Sequence, residues 1–106
     1  MKLGIDIVSI RRFSKIKKTD YQSWTRVFSK SEWRYSFKDA HFADHLAGIF
    51  AAKEAALKAV GKPARDRFRT IAVSYTKGAP TLNIPTSAVS ITHDGGYAVA
   101  CVFISR

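Results

Sequence analysis

The chain has 106 residues, 46% hydrophobic and 12% aromatic, which is enough for one core but not two and too apolar for a disordered chain. Eighteen basic residues against eight acidic ones give a formal net charge of +10, so the natural partners are anions: nucleic acid, phosphorylated cofactors or an acidic protein. The lone Cys101 excludes a disulfide framework and reads as a buried thiol, no apolar run approaches the roughly 18 residues of a membrane span, and Asp6 interrupts the place where a signal peptide needs its apolar core, so a cytoplasmic protein is expected.

Residues 3–8 read as a short strand carrying one carboxylate, Asp6. A buried carboxylate without a partner is expensive, so Asp6 is expected at a strand end, on a solvent-facing side or beside a cation. Residues 9–18 form a turn or short helix with a basic face, and residues 19–23 a polar connector. A helical turn follows over residues 24–28. Ser29-Lys30-Ser31-Glu32 then supplies a capping box for a helix running through Phe37. The aromatics of this region are numerous enough to be mostly core. Residues 38–44 approach the next helix, with Asp44 or a neighbour as its cap.

Residues 45–60 are alanine-rich and end at Gly61-Lys62-Pro63, which predicts the longest helix of the chain. Leu46, Ile49, Phe50, Leu57 and Val60 share one face of it, and Lys53 falls inside that face. Glu54 and Lys58 lie at its edge, one turn apart. Such a pair is ordinarily solvated and worth roughly 0.2–0.5 kcal/mol, and a lysine in an apolar stripe ordinarily snorkels to water.

A basic loop is expected over residues 62–69, a strand over 70–75, a turn over 77–80 and a brief strand over 81–84. Residues 88–94 and 97–104 flank Gly95-Gly96 as a hairpin. No repeat is visible, and one domain spanning 1–106 is expected. Strand, helices, then a run of strands predicts an α+β fold: an antiparallel sheet packed with one long central helix and shorter helices.

Three segments in order carry a resemblance: Gly4-Ile5-Asp6-Ile7-Val8 with Arg12-Phe13; Leu46-Ala47-Gly48-Ile49-Phe50-Ala51-Ala52-Lys53-Glu54-Ala55 with Lys58-Ala59; and Val89-Ser90-Ile91-Thr92-His93-Asp94 with Tyr97-Ala98-Val99-Ala100. Together they resemble the holo-acyl-carrier-protein synthases, the small bacterial type of 4′-phosphopantetheinyl transferase. The resemblance implies transfer of the phosphopantetheine arm of coenzyme A to a serine of an acyl carrier protein, releasing adenosine 3′,5′-bisphosphate. It implies magnesium held by Asp6 and Glu54, a choice that suits a hard cation taking one or two carboxylates, substrate phosphate oxygens and water. It further implies catalytic roles for Glu54 and Lys58, substrate contacts for Lys58 and, near the nucleotide end of coenzyme A, for His93, and for Lys53 either a substrate phosphate contact or support of Glu54; the acidic carrier protein docks on Arg12, with Arg11 and Lys15 adding charge. A metal-bound hydroxide or Glu54 acting through water is expected as the general base for the serine. A homotrimer with active sites at subunit interfaces is implied, with neither nucleic acid nor membrane as partner.

Two departures stand out: Ile49 replaces the arginine usual in that step, and the region between residues 61 and 89 is several residues shorter than usual. A divergent, non-catalytic relative that binds coenzyme A or carrier protein is one alternative, against which Asp6, Glu54 and Lys58 all survive. A basic nucleic-acid-binding module is the other, supported by charge and aromatics but lacking a recognisable RNA-binding signature.

Overall fold

Helix α2, Phe42–Val60, runs through the centre of the fold in this computed structural model, which describes residues 1–61 and 68–105. The expected basic loop therefore lies largely outside the described residues. The helix begins before residue 45; of Asp44 or a neighbour expected as its cap, Asp44 itself sits in the first turn and the cap is His41, whose side chain makes no capping bond among the described residues. Asp39 serves this end instead, accepting from the His41 N–H at 2.8 Å and from His45 Nε2 at 3.0 Å. At the other end Gly61 takes the left-handed conformation, φ 71°, and donates its N–H to the last-turn carbonyls, as glycine allows without a Cβ penalty. Leu46, Ile49 and Leu57 are buried as their shared face predicts, each stabilising the fold by about 1.5–3 kcal/mol.

Strand β1, Lys2–Ser9, packs along α2. A Cβ on Gly4 would stand 1.9 Å from the Ala55 carbonyl oxygen, so only glycine permits this approach of strand to helix. Gly4, Asp6 and Val8 alternate inward, while Leu3, Ile5 and Ile7 face outward at 67%, 61% and 61% exposure. Later in the chain come β2 (Val73–Thr76), β3 (Ala79–Leu82), β4 (Ser87–Asp94) and β5 (Tyr97–Ile104). Strands β1, β5 and β4 form a three-stranded antiparallel sheet in that order, with Asp6 opposite Ala100. Ala98, Ala100, Val102 and Ile104 complete the face against α2. The β4–β5 turn is Gly95-Gly96, at φ 57° and 85°, the two positive φ values that a tight hairpin demands.

The α+β class is as expected, but the antiparallel strands divide into two sheets, because among the described residues β2 and β3 pair only with each other. The strand expected from residue 70 begins at Val73, since Phe68–Thr70 is a 3-10 turn. The following strand starts at Ala79 and takes in Pro80, which a strand lacking a second hydrogen-bonded neighbour tolerates. The polar connector is itself a 3-10 turn, Lys18–Ser23. Cys101 is only partly buried, on the outward side of β5, so its expected burial is corrected.

Helix α1, Lys30–Ser36, starts with the expected capping box: Ser29 Oγ accepts from the Glu32 N–H at 3.2 Å, and Glu32 Oε1 accepts from the Ser29 N–H at 2.8 Å. Phe13, Phe28 and Trp33 are buried against one another and α2. The Trp33 indole N–H donates to the Lys18 carbonyl at 2.9 Å. These rings are spent on the core and are not available to stack on bases. Among the described residues, no helix is long and apolar enough to cross a membrane.

Candidate active site

Asp6 lies in the middle of β1, facing α2, with 9% of its surface exposed. Of the three settings expected for it, the structure selects the cation: Asp6 Oδ1 accepts from Lys58 Nζ at 3.0 Å. The same ammonium donates to the Ile5 carbonyl at 3.1 Å on the open edge of β1. Asp6 Oδ2 is buried and has no hydrogen-bond partner among the described residues. Leaving a carboxylate oxygen in this state is costly, so the site is incomplete without a further donor or cation.

Glu54 is half-buried on the same stretch of α2, one turn before Lys58. Burial pushes its carboxyl pKa up, the negative charge of Asp6 pushes it further, and Lys58 and Arg12 oppose both. Two acids from distant parts of the chain thus share one electrostatic environment, one of them with a bare oxygen. Such a donor set fits a hard divalent cation that fills its remaining positions with water and phosphate oxygens. A zinc-type cage does not fit: among the described residues no three histidine, cysteine or acidic side chains cluster. A cleft of about 420 Å³ lined by Ile5, Asp6, Ile7, Lys58 and Val99 opens at the β1 edge beside these groups.

Arg12 belongs to a 3-10 turn, Ile10–Phe13, that directly follows β1. Its guanidinium lies 5.0 Å from the Phe50 ring centroid and 5.8 Å from that of Phe13, a cation–π placement one helical turn before Glu54. Arg11 and Lys15 are exposed nearby in the chain and form no ion pair among the described residues.

Lys53 requires a correction. It neither snorkels nor faces a substrate: it is fully buried, and Nζ donates to Glu32 Oε1 at 2.8 Å, to the Val27 carbonyl at 2.8 Å and to the Phe68 carbonyl at 3.1 Å. These three acceptors use all three ammonium protons. Glu32 Oε2 in turn accepts from the Val73 N–H at 2.7 Å. Burial pushes the Lys53 pKa down, and the Glu32 carboxylate opposes that shift. Sequence reasoning saw Glu32 only as a helix cap. The available signal was a lysine inside an apolar face, which calls for a buried acid, and Glu32 is the acid of the aromatic-rich segment. Ile49 is also fully buried, so the position that departs from the family pattern contributes packing.

His93 lies elsewhere. Its Nε2 donates to the Asp44 carbonyl at 2.9 Å, near the start of α2. Asp44 precedes Glu54 by ten residues, about 15 Å along a helix rising 1.5 Å per residue. Within one chain, then, Asp6, Glu54, Lys58 and Arg12 gather at one place, whereas His93 stands at the other end of the helix.

A model of the 4′-phosphopantetheinyl transferase superfamily matches residues 2–102. The chain is 38% identical over 109 residues to a holo-[acyl-carrier-protein] synthase of Thermodesulfovibrio yellowstonii, covering 97% of this chain and 96% of that protein. It is 36% identical over 120 residues to that of Geobacter metallireducens, covering 97% and 95%. Among solved structures, the Helicobacter pylori holo-[acyl-carrier-protein] synthase in complex with coenzyme A superposes with a TM-score of 0.80 at 34% identity, over 97% of this chain and 99% of that one. The Bacillus anthracis synthase in complex with CoA (3′,5′-ADP) gives 0.76 at 33% identity, over 95% and 92%.

Proposed function

The chain belongs to the 4′-phosphopantetheinyl transferase superfamily, and from that premise we propose that it transfers the 4′-phosphopantetheine arm of coenzyme A to a serine of an acyl carrier protein, with magnesium held by Asp6 and Glu54. The observation that carries this reading is the buried, partnerless Oδ2 of Asp6 in the electrostatic reach of Glu54. The bound coenzyme A named for the relatives supports the donor. The serine hydroxyl passes its proton through water to Glu54 as its oxygen forms a bond to the phosphorus bearing the pantetheine arm, and the bond from that phosphorus to the bridging oxygen breaks, releasing adenosine 3′,5′-bisphosphate. Magnesium between the two carboxylates would neutralise charge on the diphosphate as the leaving group departs.

The chain's own residues do the rest. Lys58 is 57% exposed and tethered at the cleft rim by Asp6 and the Ile5 carbonyl, within the flexible reach of a lysine to a phosphate oxygen, where its charge stabilises the developing negative charge. Arg12, Arg11 and Lys15 receive the acidic carrier protein, steering its approach more than setting its affinity. Arg12 is suited to this because Phe50 and Phe13 limit the motion of its guanidinium. Leu3, Ile5, Ile7, Tyr97 and Phe103 expose an apolar patch on the outer face of the three-stranded sheet, which supports a homotrimer closed through that face. Such assembly would also let His93 of one subunit serve the coenzyme at the site of the next. On this reading the enzyme acts in the cytoplasm.

Incubation with coenzyme A, magnesium and an apo-acyl carrier protein tests the proposal. The carrier should gain the mass of the phosphopantetheine arm, and chelation of magnesium should prevent it. Salt-sensitive RNA binding without modification of any carrier would favour the nucleic-acid reading instead.

A further inference from the structure

Gly48 lies in the interior of α2 and is buried, yet none of the roles above uses it. Glycine weakens a helix interior relative to alanine, and this helix is otherwise rich in alanine, so a neighbour must need the space. A Cβ at Gly48 would stand 3.0 Å from Ile91 Cγ2 and 3.2 Å from His93 Nε2, tighter than ordinary van der Waals contact. The missing methyl lets β4 approach α2 closely enough for the His93 ring to reach the Asp44 carbonyl at 2.9 Å. A carbonyl oxygen only accepts, so Nε2 carries a proton. Nδ1, on the other edge of the ring, has no hydrogen-bond partner among the described residues.

We propose that Gly48 is a positioning residue: it seats the His93 imidazole on the Asp44 carbonyl and so fixes the direction in which the free edge of the ring meets coenzyme A. The substrate half of this inference rests on the transferase reading above; the seat itself does not. The sequence pattern flagged His93, but its partner on α2 and the gap that admits it exist only in the packed chain.

Gly48→Ala, His93→Ala and the double variant, all in the full chain, test it. Alanine is the stronger helix former, so α2 persists in the first variant. Gly48→Ala is expected to raise the KM for coenzyme A several-fold with kcat within about twofold, and to add nothing in the His93→Ala background. An equal loss in both backgrounds, or an unchanged KM, overturns the proposal. The imidazole resonances supply a readout independent of turnover: on Gly48→Ala those of His93 should move while those of His41 and His45 stay. Unmoved His93 resonances overturn the seat whatever the activity. A wild-type chain that modifies no carrier, with His93 still moving on Gly48→Ala, defeats the transferase reading and leaves the seat standing.

Discussion

Replacing Lys53 by methionine keeps an unbranched apolar stem but removes the ammonium that Glu32, Val27 and Phe68 share as acceptors. Glu32 is left as an uncompensated charge in the core, still tied to the N–H groups of Ser29 and Val73. Removing one member of a buried pair costs about 3–5 kcal/mol, against a typical domain stability of about 5–15 kcal/mol. At about 4–8 °C per kcal/mol for a small domain, Tm should fall by roughly 12–40 °C. Lys53→Met with Glu32→Gln removes the stranded charge and should recover part of the loss, a non-additivity that marks direct coupling. Urea unfolding of both variants reads this as a shift in midpoint at constant slope. A Lys53→Met chain of unchanged midpoint but raised KM for coenzyme A would refute the reasoning and return Lys53 to the substrate.

Glu54→Gln should abolish magnesium-dependent turnover while the fold persists. The folded state raises the Glu54 pKa, chiefly by burial and then by Asp6, so ionising Glu54 destabilises the metal-free chain as pH rises from the unfolded toward the folded value, and the penalty persists above it. The variant should therefore melt higher than wild type at neutral pH without magnesium, with the difference vanishing in acid; equal melting at neutral pH would contradict this. Lys58→Met should lower kcat by about 10²–10³ if its charge acts on the leaving phosphate, as steady-state kinetics would read. Gly4→Ala drives a Cβ into the Ala55 carbonyl, and backbone cannot yield as a side chain does, so a loss of at least about 3 kcal/mol is expected from chemical unfolding. Arg12→Glu should raise the KM for carrier protein and flatten its salt dependence with the KM for coenzyme A unchanged.

Much of this architecture was readable locally. The alanine-rich run ending at Gly61, the Ser29–Glu32 capping box and the Gly95-Gly96 hairpin each depend on residues a few positions apart, and each formed as expected. Asp6, Glu54 and Lys58 stood out because their residue types fit one known pattern in order along the chain.

The tertiary structure decided what those side chains meet. A helical wheel marked Lys53 as anomalous but contained no information about Glu32, whose position against it depends on how α1 docks on α2. The same limit hid the orphaned oxygen of Asp6, the split into two sheets and the seat of His93 beside Gly48. Helix periods, caps and turns are set by the backbone preferences of neighbouring residues, so they can be read in one dimension. Burial, charge pairing and close approach depend on groups far apart in the chain, and only packing brings those groups within the few ångströms over which they act.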